Sequence, residues 1–218
     1  MKLLLTSAGF TNKSISDALL KLACRPFSRL KLAFIPTAAN VETGGKEWLI
    51  TDLHNCLKLS FAQVDIVDIS AVPKEIWLPR LEETDILFFG GGNTFHLMNW
   101  VIKSGLKNLL PKMLQTKIYV GLSAGSQLAC LWNSNKQDTY FYAEPPEKTD
   151  RYDCLKFANF LVMPHLNSSD FPRVNLTEIA KYFKDFNEQI YALDDNSAIM
   201  VDVDKLTVVS QGKWRKFN

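Results

Sequence analysis

Short apolar runs alternate with longer amphipathic ones along the first 130 residues of the chain: 3–6 then 15–23, 32–35 then 48–57, 64–67 then 76–81, and 86–89 then 95–102. A fifth pair comes next, 118–122 and the segment after Ser123. Few folds satisfy that rhythm. An apolar run of four or five residues is too short for a helix and reads as a strand buried on both faces. Apolar residues spaced three and four apart read as a helix with one buried stripe. Strand and helix in turn predict a mostly parallel sheet with right-handed crossovers and helices on both faces, an α/β fold. With 218 residues and 47% hydrophobic content, the chain has ample material for a core. No repeat, low-complexity tract or linker composition interrupts it, and one domain, 1–218, is the economical reading.

After Cys130 the rhythm weakens. The polar and aromatic segment 133–153, with Pro145-Pro146, reads as a long loop or irregular hairpin, and such loops are often functional. Regular structure returns at 157–163, a helix around 176–183, and strands at 190–193, 198–201 and 206–209, the last two as a closing hairpin. The net charge of +2 comes from nearly balanced acids and bases, and the basic cluster Lys213, Arg215, Lys216 reads as a solvated tail, so no nucleic-acid partner is expected. No apolar stretch approaches the roughly 20 residues of a membrane span. The run that opens Met1-Lys2-Leu3-Leu4-Leu5 stops at Thr6, short of the roughly 7–15 residues of a signal-peptide core. Cys24, Cys56, Cys130 and Cys154 form no Cys-x-x-Cys pair and read as reduced, buried thiols of a cytoplasmic protein.

Tyr119-Val120-Gly121-Leu122-Ser123-Ala124-Gly125-Ser126-Gln127-Leu128-Ala129-Cys130 joins an apolar strand to a helix through a serine flanked by glycines. A serine on so sharp a turn presents its Oγ above the sheet, and Gly121 and Gly125 leave room for the crowded backbone. The helix from Ala124 aims its free N–H groups at an anion forming beside the serine. This is the pattern of a nucleophile elbow; the plain alternative is a tight turn closed by small residues.

In an open parallel sheet, reactive residues belong at the carboxyl ends of strands. Gly90-Gly91-Gly92-Asn93-Thr94 comes after the strand 86–89 and opens a helix near Phe95, without the Lys-Ser/Thr pair or Gly-x-Gly-x-x-Gly spacing of nucleotide loops. Beside Ser123, Gly91 or Gly92 can supply one N–H of an oxyanion hole, with the amide of Ala124 as the other. A serine also needs a base, and the chain has three histidines. His54, in a helical stretch, and His96, in the first turn after the glycine loop, read as packing or surface residues. His165 comes after the strand 160–163 and Pro164 and is the expected base. For the acid that orients it, Asp194 and Asp195 stand past the strand 190–193, although adjacent acids also cap turns. Asp138, in the long segment after the elbow helix, is the other candidate, and local spacing does not choose.

Gly90-Gly91-Gly92-Asn93-Thr94-Phe95, Gly121-Leu122-Ser123-Ala124-Gly125 and Pro164-His165, in that order, resemble peptidase E, the alpha-aspartyl dipeptidase family of serine exopeptidases, over nearly the whole chain. The resemblance implies a class I glutamine amidotransferase-like fold, in which the relatives place a cysteine where this elbow has Ser123. It implies Ser123 as nucleophile and His165 as base. The family's acid has two assignments, one falling on Asp138 and the other on the position of Asp195. A rigid strand end favours Asp195, which stands where the family has glutamate. Arg173 is the implied counterpart of an arginine that grips the substrate's N-terminal aspartate, and Asn93 is a second substrate-binding candidate.

The expected activity is hydrolysis of small peptides, dipeptides with N-terminal Asp foremost, through an acyl-enzyme. No metal or organic cofactor and no membrane is implied, the partner is a small peptide, and a homodimer is one option for the assembly. Two rival readings are a serine hydrolase of other N-terminal, amide or ester specificity, and a catalytically silent small-molecule-binding relative.

Overall fold

The computed structural model describes residues 1–131, 135–144 and 154–218. In chain order its elements are β1 (Lys2–Thr6), α1 (Lys13–Ala23), β2 (Lys31–Ile35), α2 (Glu47–Lys58), β3 (Gln63–Ile66), α3 (Lys74–Glu82), β4 (Ile86–Phe89), α4 (Thr94–Lys103), α5 (Leu106–Met113), β5 (Ile118–Leu122) and α6 (Ala124–Ala129). Next come α7 (Asn135–Tyr142), β6 (Leu161–Met163), α8 (Leu176–Tyr182), β7 (Ile190–Leu193), β8 (Ser197–Asp202), β9 (Lys205–Ser210) and β10 (Trp214–Phe217).

A seven-stranded sheet runs in the order β3-β2-β4-β5-β1-β8-β9. The first five of these strands are parallel, and β8 and β9 close one edge as an antiparallel hairpin. Because successive strand side chains point to opposite faces, each apolar run feeds two cores. Leu3, Leu5, Leu87, Phe89 and Tyr119 pack on one side, under α3, α4, α5 and α6. Leu4, Leu32, Phe34, Phe88 and Val120 pack on the other, under α1 and α2. Burying each such side chain contributes about 2 kcal/mol, which is why uninterrupted apolar runs mark these strands. Asparagines start three helices: the carboxamide oxygens of Asn12, Asn93 and Asn175 accept from the N–H of Ile15, His96 and Glu178. Among the described residues, no helix is long and apolar enough to cross a membrane.

Four features depart from the sequence reading. The strands β6 and β7 do not extend the main sheet; they pair in parallel in a second, three-stranded sheet, with β10 antiparallel to β7. That third strand is the basic tail, held by main-chain pairing rather than by burial, so Arg215 and Lys216 leave no apolar signal. The segment read as a loop contains the helix α7, while 132–134 and 145–153 lie outside the described residues. Finally, Cys24 is exposed: it ends α1 with a left-handed φ of 54°, whereas Cys56, Cys130 and Cys154 are buried, all four as free thiols.

Candidate active site

The parallel strands β1, β4 and β5 end side by side, and the residues just past their carboxyl ends build one half of the site. Past β5, Ser123 takes φ 48° and ψ −108°, a conformation that costs a non-glycine residue about 1–3 kcal/mol. Its surroundings hold it there. Its N–H donates to the carbonyl of Thr6 at 3.2 Å, and its own carbonyl accepts from the N–H of Ser126 and Gln127. The helix must also lie close against β4: a Cβ on Gly125 would stand 2.1 Å from the carbonyl oxygen of Phe89, so only glycine fits.

Past β4, Gly92 has φ 122° and lies where a Cβ would meet the carbonyl of Ala38 at 2.4 Å. Asn93 N–H donates to that same carbonyl, fixing the glycine turn. Gly91 and Gly92 line a cavity of about 440 Å³ together with Ser123, within the range for small-molecule sites. Among the described residues, no protein acceptor takes the N–H of Gly91, Gly92 or Ala124. Gly91 and Gly92 bring two of these donors to the cavity wall.

The second sheet delivers an imidazole and a carboxylate to Ser123. His165, two residues past β6, sits at φ 66° and brings Nε2 to 2.8 Å from Ser123 Oγ. Asp195, two residues past β7, places Oδ1 2.7 Å from His165 Nδ1. An ionised carboxylate only accepts, so it keeps the proton on Nδ1 and leaves Nε2 free to accept from the serine hydroxyl. Ser7, immediately past β1, ties the two: its Oγ donates to Asp195 Oδ1 at 2.9 Å and accepts from the His165 N–H at 2.7 Å. Burial pushes the Asp195 carboxyl up, but the hydrogen bond and charge of His165 together with the Ser7 hydroxyl outweigh it and hold the group below its usual range. Its side chain is 45% exposed, against 14% for His165, so it is held by these bonds more than by enclosure. The Phe171 ring stacks on the imidazole at 4.9 Å and is itself buttressed edge-on by Tyr142, whose hydroxyl donates to the Pro164 carbonyl.

Of the residues the sequence singled out, Ser123, His165, Asp195, Gly91 and Gly92 line the cavity, and Ala124 comes directly after Ser123. Asp138 is buried in the first turn of α7 and is not the carboxylate on the imidazole. Asn93 lies just below, its side chain used as the cap of α4. Arg173 is not brought to the site. It is exposed, with its guanidinium 4.8 Å from the Tyr140 ring and Nη1 donating to the Tyr140 carbonyl, and it is absent from the cavity lining. His54 is exposed on α2. Among the described residues, no three His, Cys, Asp or Glu side chains converge to hold a metal ion.

Sequence reasoning missed Ser7, although the strand-end rule that found Ser123 applies to it equally. It also missed two acids of the cavity wall, Asp52 from α2 and Glu144 past α7. Burial, with the charge of Asp195 added, pushes Asp52 up to about 7. Burial also pushes Glu144 up to about 8, although its Oε2 accepts from the Thr94 N–H at 3.0 Å. Both groups thus bind their protons more tightly folded than unfolded. The stability this confers is complete below the unfolded value and is lost as pH rises through 7 for Asp52 and 8 for Glu144. Asp52→Asn and Glu144→Gln proteins escape that loss. Each is expected to melt several degrees above the parent at about pH 9, with the gap closing toward about pH 4, in calorimetric scans across that range. A gap independent of pH would contradict the assignment.

With this geometry in hand, comparison with known proteins is decisive. The family model for peptidase family S51 matches residues 3–209. The chain belongs to peptidase family S51. An uncharacterized peptidase of Listeria innocua is 27% identical over 194 residues, covering 84% of this chain and 86% of the relative. Peptidase E of Shewanella denitrificans is 28% identical over 189 residues, covering 79% and 78%. Among solved structures, that of a candidate peptidase E protein from Listeria monocytogenes EGD-e superposes with a TM-score of 0.80 at 23% identity, covering 97% of this chain and 98% of that one. The S51 assignment makes the chain a peptidase, a hydrolase, and the last superposition establishes the α/β fold.

Proposed function

We propose that this S51 peptidase is a serine exopeptidase acting on small peptides through a Ser123-His165-Asp195 triad and an acyl-enzyme. The observation that carries the reading is the pair of contacts on one imidazole, Nε2 to Ser123 Oγ at 2.8 Å and Nδ1 to Asp195 Oδ1 at 2.7 Å. Ser123 Oγ attacks the carbonyl carbon of the scissile bond while His165 Nε2 takes its proton. The negative charge moves to the carbonyl oxygen, within reach of the N–H groups of Ala124 and of Gly91 or Gly92, each such donor contributing about 3 kcal/mol in the transition state. His165 then gives the proton to the departing amine, the C–N bond breaks, and the acyl group remains on Ser123. Water, deprotonated by the same imidazole, attacks in turn; the acid product leaves and the serine regains its hydrogen. Asp195 holds the tautomer and offsets the imidazolium charge, with Ser7 holding Asp195.

A cavity of about 440 Å³ suits a dipeptide-sized ligand. The N-terminal aspartate preference implied by the family resemblance is not carried into this reading, because Arg173 is engaged with Tyr140 outside the cavity. A fluorophosphonate probe is expected to modify one residue, Ser123, identified by mass spectrometry of the digested protein, with labelling abolished in His165→Ala. Absence of labelling in the folded parent would favour a silent binding protein on the same fold.

A further inference from the structure

Ser123 belongs to the main sheet, whereas His165 and Asp195 come from the ends of β6 and β7 in the second, so their distances depend on what joins the two sheets. The end of β1 and the segment 7–12 before α1 hold hydrogen bonds to all three residues. The Thr6 carbonyl accepts from the Ser123 N–H at 3.2 Å and from Ser126 Oγ at 2.7 Å, which ties the elbow to β1. One residue on, Ser7 Oγ accepts from the His165 N–H at 2.7 Å and donates to Asp195 Oδ1 at 2.9 Å. Those directions are forced: a main-chain N–H only donates, an ionised carboxylate only accepts, and the hydroxyl has one hydrogen to pass on. Further along, Thr11 Oγ1 donates to the Asp195 carbonyl at 2.7 Å and Asn12 Nδ2 to the Asn196 carbonyl at 3.1 Å. The turn that carries Asp195 is therefore gripped by side chain and backbone from one segment. Both of its partners require such support. His165 has φ 66°, which a non-glycine residue keeps only where its surroundings over-determine it. Asp195 is 45% exposed, so packing alone does not fix its carboxylate.

We propose that the segment after β1 is the positioning element that registers the His165–Asp195 pair on the elbow, with Ser7 and Thr11 as its positioning residues. Ser7 acts through the Asp195 carboxylate and the His165 main chain, and Thr11 through the Asp195 main chain. The proposal rests on the reading of Ser123, His165 and Asp195 as nucleophile, base and acid, and extends it to the element that sets them in register. Alanine at position 7 leaves the His165 N–H without its acceptor and the carboxylate with one donor fewer, free to turn toward water. A reacting group misplaced by about 1 Å costs on the order of 100-fold in rate. Neither Ser7 nor Thr11 lines the cavity, so the loss falls on the chemical step and not on binding.

The test follows fluorophosphonate modification of Ser123 in the parent, S7A, T11V, D195N and S7A/D195N proteins. Alongside it, the proton resonance of His165 Nδ1–H is observed in protein with isotope-labelled histidines, assigned by its loss in H165A. S7A is expected to lower the limiting rate of modification by about 10–100-fold, the scale of a lost hydrogen bond to a charged group, with the half-saturating probe concentration unchanged. T11V should lower it by about 2–10-fold. Thr11 is exposed, so T11V carries the decision should S7A not fold, a parent-like rate there overturning the proposal. In the D195N background, removal of the Ser7 hydroxyl should cost less than about threefold, because most of its effect passes through that carboxylate. The Nδ1–H resonance is expected to broaden in S7A by exchange with water. A parent-like rate in S7A, or the same cost with and without the Asp195 carboxylate, overturns the proposal while leaving Ser123 the nucleophile. A parent that resists the probe, yet whose Nδ1–H signal broadens in S7A, sustains the positioning role and overturns the hydrolase reading instead.

Discussion

Alanine at Ser123 is expected to lower kcat for peptide cleavage by about 10⁶-fold, the scale on which removal of a serine nucleophile acts when it works as a unit with its base. The chemistry sets the size of the effect. Without Oγ no acyl-enzyme forms, and only direct attack by water remains, on a carbonyl still polarised by the N–H groups of Ala124 and the glycine turn, a residual of about 10³–10⁴ over the uncatalysed reaction. Because Ser123 and His165 act on one proton, the Ser123→Ala/His165→Ala protein should be no slower than either single variant, whereas independent contributions would multiply. Substitution at Ser123 also removes the hydroxyl without breaking the hydrogen bonds to Thr6, Ser126 or Gln127, which go to its main chain. Steady-state cleavage of unblocked dipeptides by the two single variants and the double variant gives the answer. Parent-like rates in Ser123→Ala would remove the nucleophile from the mechanism.

Asparagine at Asp195 is expected to cost about 10⁴-fold in kcat with little change in the fold. The carboxylate now accepts from Nδ1–H at 2.7 Å. A carboxamide can instead turn its NH₂ toward Nδ1, which stabilises the tautomer with the proton on Nε2. That tautomer presents N–H to Ser123 Oγ and cannot take its proton. Imidazolium formed during attack also loses its counter-charge. The same substitution at Asp138 acts elsewhere: that side chain is buried in α7, so Asp138→Asn should lower the melting temperature while turnover by the folded fraction stays near the parent's. Reversal of the two outcomes would move the acid of the triad to α7.

Much of the fold is legible in the sequence because its signals are local. The buried strands β1, β2, β4 and β5 are unbroken apolar runs, and the helices between them carry stripes that any window of a dozen residues reveals. Other elements lack such signals. α5 carries Pro111 inside, α7 mixes polar residues with tyrosines, and β10 exposes most of its side chains. Likewise, Ser123 is legible because its strain is prepared locally by glycines, and His165 because few histidines compete for the role.

Contacts between distant segments stay hidden. Spacing does not separate Asp195 from Asp138, and a strand end only favours it; the contact itself arises when β7 sets Asp195 against a ring 30 positions away. Ser7 meets His165 across 158 positions, and Arg173 lies outside the cavity lining, against the Tyr140 ring and carbonyl. The order of residues alone points to the layered α/β architecture, the elbow and the Ser123 and His165 candidates, since periodicity and turn chemistry act between residues a few bonds apart. The carboxylate that meets the His165 ring and the acidic character of the cavity wall are products of folding. They depend on distances and burial, which arise when remote strands and helices pack and which no local spacing encodes.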